Sequence, residues 1–232
     1  MTVATDPVSA IEGGLVVSCQ APEGHPLRDP DVMALLARCA EQGGAAGLRV
    51  NGPADVRAVR AVTDLPVIGL TKVTRPGIRP LITPGFALCE ELVRAGADVV
   101  ALEVTDEVAP VAGDLMGLVK RVRADLGVPV MADVSTLEEG LRAWSWGADV
   151  VSTTLSGYTP YTASGMEPDL ELVGELASRG VRTVAEGRLR TGGHVTGAFE
   201  RGAWAVVVGA AITDPVAITR RLAAAAPGRT RR

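Results

Sequence analysis

Short runs of apolar, largely β-branched residues recur along the whole chain, separated by longer stretches in which apolar positions return at helical spacing. Eight such runs, at 14–19, 45–50, 66–72, 99–104, 128–133, 149–154, 183–186 and 205–209, read as strands. They are apolar nearly throughout rather than alternating, as parallel strands covered on both faces are. Between them, 30–42, 53–62, 84–95, 113–126, 136–146, a segment starting near Pro168, 191–201 and 214–225 read as helices, several opened by a proline in the first turn.

The punctuation between these elements repeats. Ala95-Gly96-Ala97-Asp98-Val99-Val100 and Trp146-Gly147-Ala148-Asp149-Val150-Val151 are near copies, and Arg201-Gly202-Ala203-Trp204-Ala205-Val206-Val207 is a third variant. In each a glycine ends a helix and a short turn feeds the next strand. Eight strands alternating with eight helices, at a period of roughly 25 residues, predict a single-domain α/β fold, a (β/α)8 TIM barrel, and not an open doubly wound sheet. The barrel is expected over 13–226, after a loosely ordered or disordered 1–12 and before a basic tail at 227–232.

Composition agrees. Hydrophobic residues make up 47% of the 232-residue chain and aromatics only 3%, so the core is built from Val, Leu, Ile and Ala. Trp144, Trp146 and Trp204 are assigned to packing, and His25 and His194 to the surface. A formal net charge of -4 with dispersed signs argues against a nucleic-acid partner. Three cysteines, Cys19, Cys39 and Cys89, with two distant histidines make neither a metal site nor a disulfide framework, which suits a reducing cytoplasm. No apolar run reaches membrane-spanning length, and the N-terminus lacks the features of a signal peptide.

In a barrel the strand ends meet around one mouth, and the chemistry of the fold resides there. The polar residues brought to that mouth are Gln20, Arg49, Lys72, Glu103, Asp133, Thr153, Thr154, Glu186 and Arg188. Lys72, at the end of an otherwise apolar strand, is placed to lose its proton more readily than a surface lysine. With Asp133 and Glu186 it forms either an acid/base set or a structural ion-pair cluster. Arg49 either clamps a substrate anion or pairs with Glu103, and Gln20 offers a neutral hydrogen-bonding group. Gly187 and Arg188 after the seventh strand, and Gly209 and Ala210 after the eighth, are either turn formers or a phosphate cradle closed by a helix N-terminus. Tyr158 and Tyr161 lie in the sixth loop, where a lid over the substrate is one reading.

Several of these phrases resemble those of the N-acetylmannosamine-6-phosphate 2-epimerases. They include Val17-Ser18-Cys19-Gln20-Ala21, Gly47-Leu48-Arg49-Val50-Asn51-Gly52, Met131-Ala132-Asp133-Val134-Ser135-Thr136, Thr153-Thr154-Leu155-Ser156-Gly157-Tyr158-Thr159, Val184-Ala185-Glu186-Gly187-Arg188 and Val207-Val208-Gly209-Ala210-Ala211. The resemblance implies a barrel that inverts C2 of an amino-sugar 6-phosphate through an enediolate, without a metal or redox cofactor, in sialic acid degradation. It assigns Lys72 to C2 proton transfer, Glu186 to the ring or C1 oxygen, and Asp133 to orienting Lys72. Gln20 and Arg49 would hold the sugar, and Gly187, Arg188, Gly209 and Ala210 would line its phosphate site; Glu103, Thr153 and Thr154 at the same mouth are further candidates for binding the sugar. Family habit and the Ala-rich last helix point to a homodimer.

The chain departs from that pattern at Glu103, where aspartate is usual, at Val73, where a polar or basic residue is common, and at Asp214, where arginine is common. An acid at 214 either repels the phosphate or caps the last helix. The alternatives to the epimerase are an aldolase-like barrel enzyme or another phosphosugar isomerase, and a non-catalytic sugar-phosphate binder.

Overall fold

The computed structural model describes residues 6–75 and 77–227; Arg229, Arg231 and Arg232 of the basic tail lie outside them. Its strands are β1 (Leu15–Cys19), β2 (Gly47–Asn51), β3 (Val67–Leu70), β4 (Lys72–Val73), β5 (Leu81–Ile82), β6 (Val99–Glu103), β7 (Val130–Asp133), β8 (Val150–Ser152), β9 (Thr183–Glu186) and β10 (Ala205–Val208). Eight of them close a parallel barrel in the order β1-β10-β9-β8-β7-β6-β3-β2. Around it stand α1 (Pro7–Ala10), α2 (Pro30–Gln42), α3 (Pro53–Arg60), α4 (Phe86–Ala95), α5 (Ala109–Ala112), α6 (Leu115–Arg121), α7 (Leu137–Ser145), α8 (Leu170–Ala177), α9 (Gly192–Glu200), α10 (Ala210–Thr213) and α11 (Pro215–Ala225). Among the described residues no helix is long and apolar enough to cross a membrane.

Successive residues of a strand face opposite ways, and the barrel sorts its core accordingly. Val16, Ile68, Ala101, Met131, Val184 and Val207 belong to one buried cluster inside the barrel. Their neighbours Val17, Leu48, Val67, Val100, Ala132 and Val151 belong to another, which packs the outside of the sheet against the helices. The register then aligns the inward positions of neighbouring strands: Ser18 lies beside Arg49, Arg49 beside Ile68, Glu103 beside Asp133, and Asp133 beside Ser152. Following the inward parity toward the carboxyl ends reaches Gln20, Arg49, Lys72, Glu103, Asp133, Thr154 and Glu186.

The expected looseness of 1–12 does not hold for its described part. Asp6 caps α1 by accepting from Ser9 N (3.1 Å), and Val8 and Ile11 are buried inside the barrel's amino-terminal end. Trp204 Nε1 donates to the Val8 carbonyl (3.1 Å) and Gly13 N to the Trp204 carbonyl (2.8 Å), tying this plug to the eighth barrel strand. Gly47 is required beneath it, since a Cβ there would stand 2.8 Å from Ile11 Cγ2.

Three further differences concern the layers around the barrel. The run 66–72 does not continue as one strand: β3 ends at Leu70, and Lys72–Val73 pairs antiparallel with Leu81–Ile82 as a separate ribbon. The single helix expected over 113–126 is α6 followed by a π-helical turn, Val122–Leu126, with α5 preceding it. α11 forms as expected but buries none of its residues, leaving Val216 and Leu222 exposed.

Candidate active site

The ribbon fixes where Lys72 stands. Its backbone N–H donates to Asn51 Oδ1 (2.8 Å), and its register partner across the ribbon is Ile82. One residue back, Thr71 N donates to Thr83 Oγ1 (3.0 Å) and Thr83 N to the Thr71 carbonyl (2.8 Å). Thr83 is buried and holds φ of 46°, a left-handed conformation that a β-branched residue adopts only when its surroundings impose it. The Lys72 side chain lines a cavity of about 770 Å³ at the barrel mouth. Lys72 is exposed on the cavity side, while protein atoms crowd it on its other sides. That loss of water, aided by the positive charge of Arg49, holds its pKa below the ordinary lysine value of 10.5, against the pull of Glu186 and Asp133.

Behind the cavity lies a buried charge cluster centred on Arg49, which is only 1% exposed. Arg49 Nη2 donates to Asp133 Oδ2 (2.6 Å) and Nη1 to Thr154 Oγ1 (3.0 Å); Nη1 also pairs with Glu186 Oε2. The Thr154 hydroxyl lies 2.6 Å from Asp133 Oδ1 and 3.1 Å from Glu186 Oε2, and Ser152 Oγ lies 2.8 Å from Thr154 Oγ1. Burial opposes the Arg49 charge, but Asp133 and Glu186 outweigh it and hold the guanidinium above its usual pKa. Asp133 shifts the same way: burial, reinforced by Glu186, pushes its carboxyl up to about 6 despite Arg49 and Thr154. One guanidinium shared by two carboxylates does not offset the dehydration of the deeper one.

Several expected roles change with this geometry. Arg49 neither pairs with Glu103 nor stands open as an anion clamp, because Asp133 and Glu186 take its terminal nitrogens. Asp133 is held by Arg49 and Thr154 and acts on Lys72 through the field, not through a hydrogen bond. Thr153 lies on the outward parity, where its hydroxyl donates to the Glu186 carbonyl (3.0 Å) and accepts from Glu186 N (3.1 Å). It therefore fixes the end of β9 and does not line the cavity. Glu103 is 2% exposed and fully engaged by Arg79, Thr105 and the Ile82 amide, so it too is withdrawn from the open cavity. Gln20 donates to Ser18 Oγ (2.9 Å) and leaves Oε1 buried without a partner, and it does not line the cavity.

At the far end of the cavity stand Gly187, Arg188, Gly209 and Ala210, brought together from β9 and β10. Gly187 and Arg188 both have positive φ, 106° and 60°. The Arg188 guanidinium is spent on the sixth loop, donating from Nε to the Glu167 carbonyl and from Nη1 to the Ser156 carbonyl, both 2.7 Å. Gly157 must be glycine beneath it: φ is 80°, and a Cβ would come within 2.5 Å of Arg188 Nη1. Tyr158 lines the cavity beside Arg188, whereas Tyr161 is exposed and does not. The sequence reading missed Arg190, Arg220 and Arg221, three cations on the same wall. Asp214 caps α11 through Ala217 N (2.8 Å) and lies 3.3 Å from His25 Nε2, so its charge is used on the helix, and His25 is largely buried rather than superficial. The cap bond and His25 hold the Asp214 carboxyl below its ordinary pKa. Among the described residues no group of three or more His, Cys, Asp or Glu side chains is set to hold a metal.

A family model described as "Putative N-acetylmannosamine-6-phosphate epimerase" matches residues 33–227. A relative from Caldanaerobacter subterraneus, bearing the 2-epimerase form of that name, is 45% identical over 218 residues, covering 93% of this chain and 92% of its own. One from Clostridioides difficile is 41% identical over 212 residues, covering 91% and 95%. The solved N-acetylmannosamine-6-phosphate 2-epimerase of Clostridium perfringens superposes with a TM-score of 0.89 at 37% identity, over 96% of this chain and 97% of that one.

Proposed function

The chain belongs to the N-acetylmannosamine-6-phosphate 2-epimerase family, and we propose that it converts N-acetylmannosamine 6-phosphate to N-acetylglucosamine 6-phosphate with Lys72 as the proton-transferring base. The observation that carries this reading is that one cavity is lined by Lys72 and Glu186 together with the Gly187 and Gly209 turns. Ring opening exposes a C1 aldehyde and makes the C2 proton acidic. The neutral Lys72 amine takes that proton and the electron pair moves into a C1 enolate, since C2 carries the acetamido nitrogen and not the second oxygen of an enediolate. A proton then returns to the opposite face of C2, either from the Lys72 ammonium after bond rotation presents that face or from a second acid. Glu186, steadied by Arg49, Thr154 and Ser152, serves the ring or C1 oxygen, where a proton must be moved as the ring opens and closes.

The backbone of Gly187, Arg188, Gly209 and Ala210 receives the phosphate, with Arg190, Arg220 and Arg221 supplying positive charge from the wall. Arg188 serves mainly through its backbone and by ordering the sixth loop. Thr154 lines the cavity with its hydroxyl already committed to Arg49, Asp133 and Glu186, and so supports Glu186. The free thiols of Cys19, Cys39 and Cys89 suit the reducing cytoplasm in which we place the reaction.

Incubation with N-acetylmannosamine 6-phosphate in deuterated water tests the assignment. Deuterium is expected at C2 of the product and, with time, of recovered substrate. Folded protein that forms no product and exchanges nothing would overturn it.

For the assembly, we propose a homodimer through α11, which buries none of its residues and leaves Val216 and Leu222 exposed. Light scattering is expected to return the mass of two chains, reduced to one by Leu222→Glu. A single-chain mass for the parent would refute the dimer.

A further inference from the structure

We propose that Glu103 and Arg79 form a latch that positions Lys72 for proton transfer, acting on the reaction through the β4–β5 ribbon and without touching the substrate. The inference rests on Lys72 being the base. Lys72 is not carried by a barrel strand but by the first residue of that ribbon, so its position depends on what holds the ribbon to the barrel.

On the outgoing side the attachment is Asn51 Oδ1 to the Lys72 amide. On the return side it is Glu103. Its Oε2 accepts from Ile82 N (3.0 Å), the amide of the residue directly across from Lys72. Glu103 could not turn freely to do otherwise: Oε1 accepts from Thr105 Oγ1 (2.6 Å) and Arg79 Nη2 (2.5 Å), and Oε2 also accepts from Arg79 Nη1 (3.1 Å). Arg79 in turn spends Nε on Glu107 Oε2 (2.9 Å) and Nη1 on the Pro80 carbonyl (3.2 Å). A bidentate guanidinium thus clamps the ribbon's return arm to the end of β6 and to the turn beyond it. Arg79 reaches the cavity wall with its donors already taken, so holding the ribbon is the work its geometry leaves it.

The consequence for the reaction follows from the environment of Lys72. Loss of water is the leading cause of its lowered pKa, and that loss depends on the ribbon keeping the side chain against the cluster of Arg49, Asp133 and Glu186. Releasing the return arm lets Lys72 regain water. Its pKa then moves back toward 10.5, and the neutral amine becomes available only at higher pH.

The test is the pH dependence of kcat and kcat/KM for Arg79→Ala, Glu103→Gln and Arg79→Lys, with thermal unfolding followed on the same samples. For the first two, kcat is expected to fall roughly tenfold or more, with KM changed by less than about threefold, as misplacement of a reacting group does. The rising limb of kcat/KM is expected to move to higher pH. Arg79→Lys, which keeps the charge but not the fork, should recover part of both. A limb that stays in place in folded Arg79→Ala and Glu103→Gln would overturn the latch, whether kcat is unchanged or falls only with the folded fraction. Lys72→Met in parallel separates the two claims: if it still exchanges C2 deuterium, the base assignment fails, and if it is inactive while both latch variants match the parent, the latch alone fails.

Discussion

Lys72→Met should lose about a hundredfold to ten-thousandfold in turnover, the range over which a positioned general base contributes, while its thermal unfolding stays unchanged or moves upward. The second half of that expectation comes from the sign of the pKa shift. A lysine whose folded-state pKa lies below its unfolded value contributes stability that is present above the unfolded value, near 10.5, and is lost as pH falls through the folded one. At neutral pH the folded protein therefore holds this ammonium at a cost, and methionine removes the cost while keeping most of the stem. The melting temperature of the variant relative to the parent should rise as pH is lowered from about 10 toward neutrality. Calorimetry across that range, with C2 deuterium exchange on the same preparations, checks both parts. A variant that melts far below the parent yet still turns over would identify Lys72 as a member of a structural ion-pair cluster.

Arg49→Met is expected to have the opposite profile, a loss of stability of about 3–5 kcal/mol with activity falling alongside, because it leaves two carboxylates in the barrel without their shared cation. Asp133 is fully buried and Glu186 only 15% exposed, so water does not replace what the guanidinium supplied. Here too pH gives a signature. Asp133 has a folded-state pKa raised to about 6 over the ordinary 3.8. Its contribution is fully present below the lower value and declines as pH rises through the upper one. Removing Arg49 raises that carboxyl further, so the deficit of the variant should be small near pH 4 and grow toward neutrality. Asp133→Asn added to Arg49→Met should recover part of the loss, since the pair is coupled. Denaturant unfolding at both ends of the range measures this; a variant within about 1 kcal/mol of the parent at neutral pH would be incompatible with the cluster described.

The barrel was legible because its signal is repeated eight times: each β-branched run is short, and each glycine turn says the same thing about the next. Even the facing of single residues was open to reading. Thr153 and Thr154 are adjacent, so a strand must send them to opposite sides, and counting parity from Val150 gives Thr154 to the interior and Thr153 to the outside. The plug at Pro7–Ala10 was not legible, because four residues are too few to show a period and their partner, Trp204, is remote. Nor could the break after Leu70 be seen, since the run through Lys72 stays uninterrupted in composition while the backbone changes partner.

Charge pairing was the least accessible layer. The charged residues at the strand ends gather at one mouth, so sequence order cannot say whether Arg49 finds Glu103 or Asp133. Register and side-chain reach decide it, and Arg79, on a loop with no periodicity, takes Glu103 instead. Arg190, Arg220 and Arg221 escaped notice for a related reason: their place on the cavity wall depends on α11 standing off the barrel, and an alanine-rich helix does not announce which way it lies.

The closure of the barrel has a consequence for how the protein comes into being. β1 pairs with β10, the Trp204 indole bonds to Val8 across 196 residues, and the Thr213 hydroxyl bonds to the Ser18 carbonyl across 195. β1 must therefore wait, one edge unpaired, until β10 has been synthesised. Contacts of such sequence separation place their loop-closure entropy early and their reward late. A chain cut before β10 leaves β1 and β9 each with an unpaired edge, so the ring of strands that forms the mouth closes only once β10 has been made.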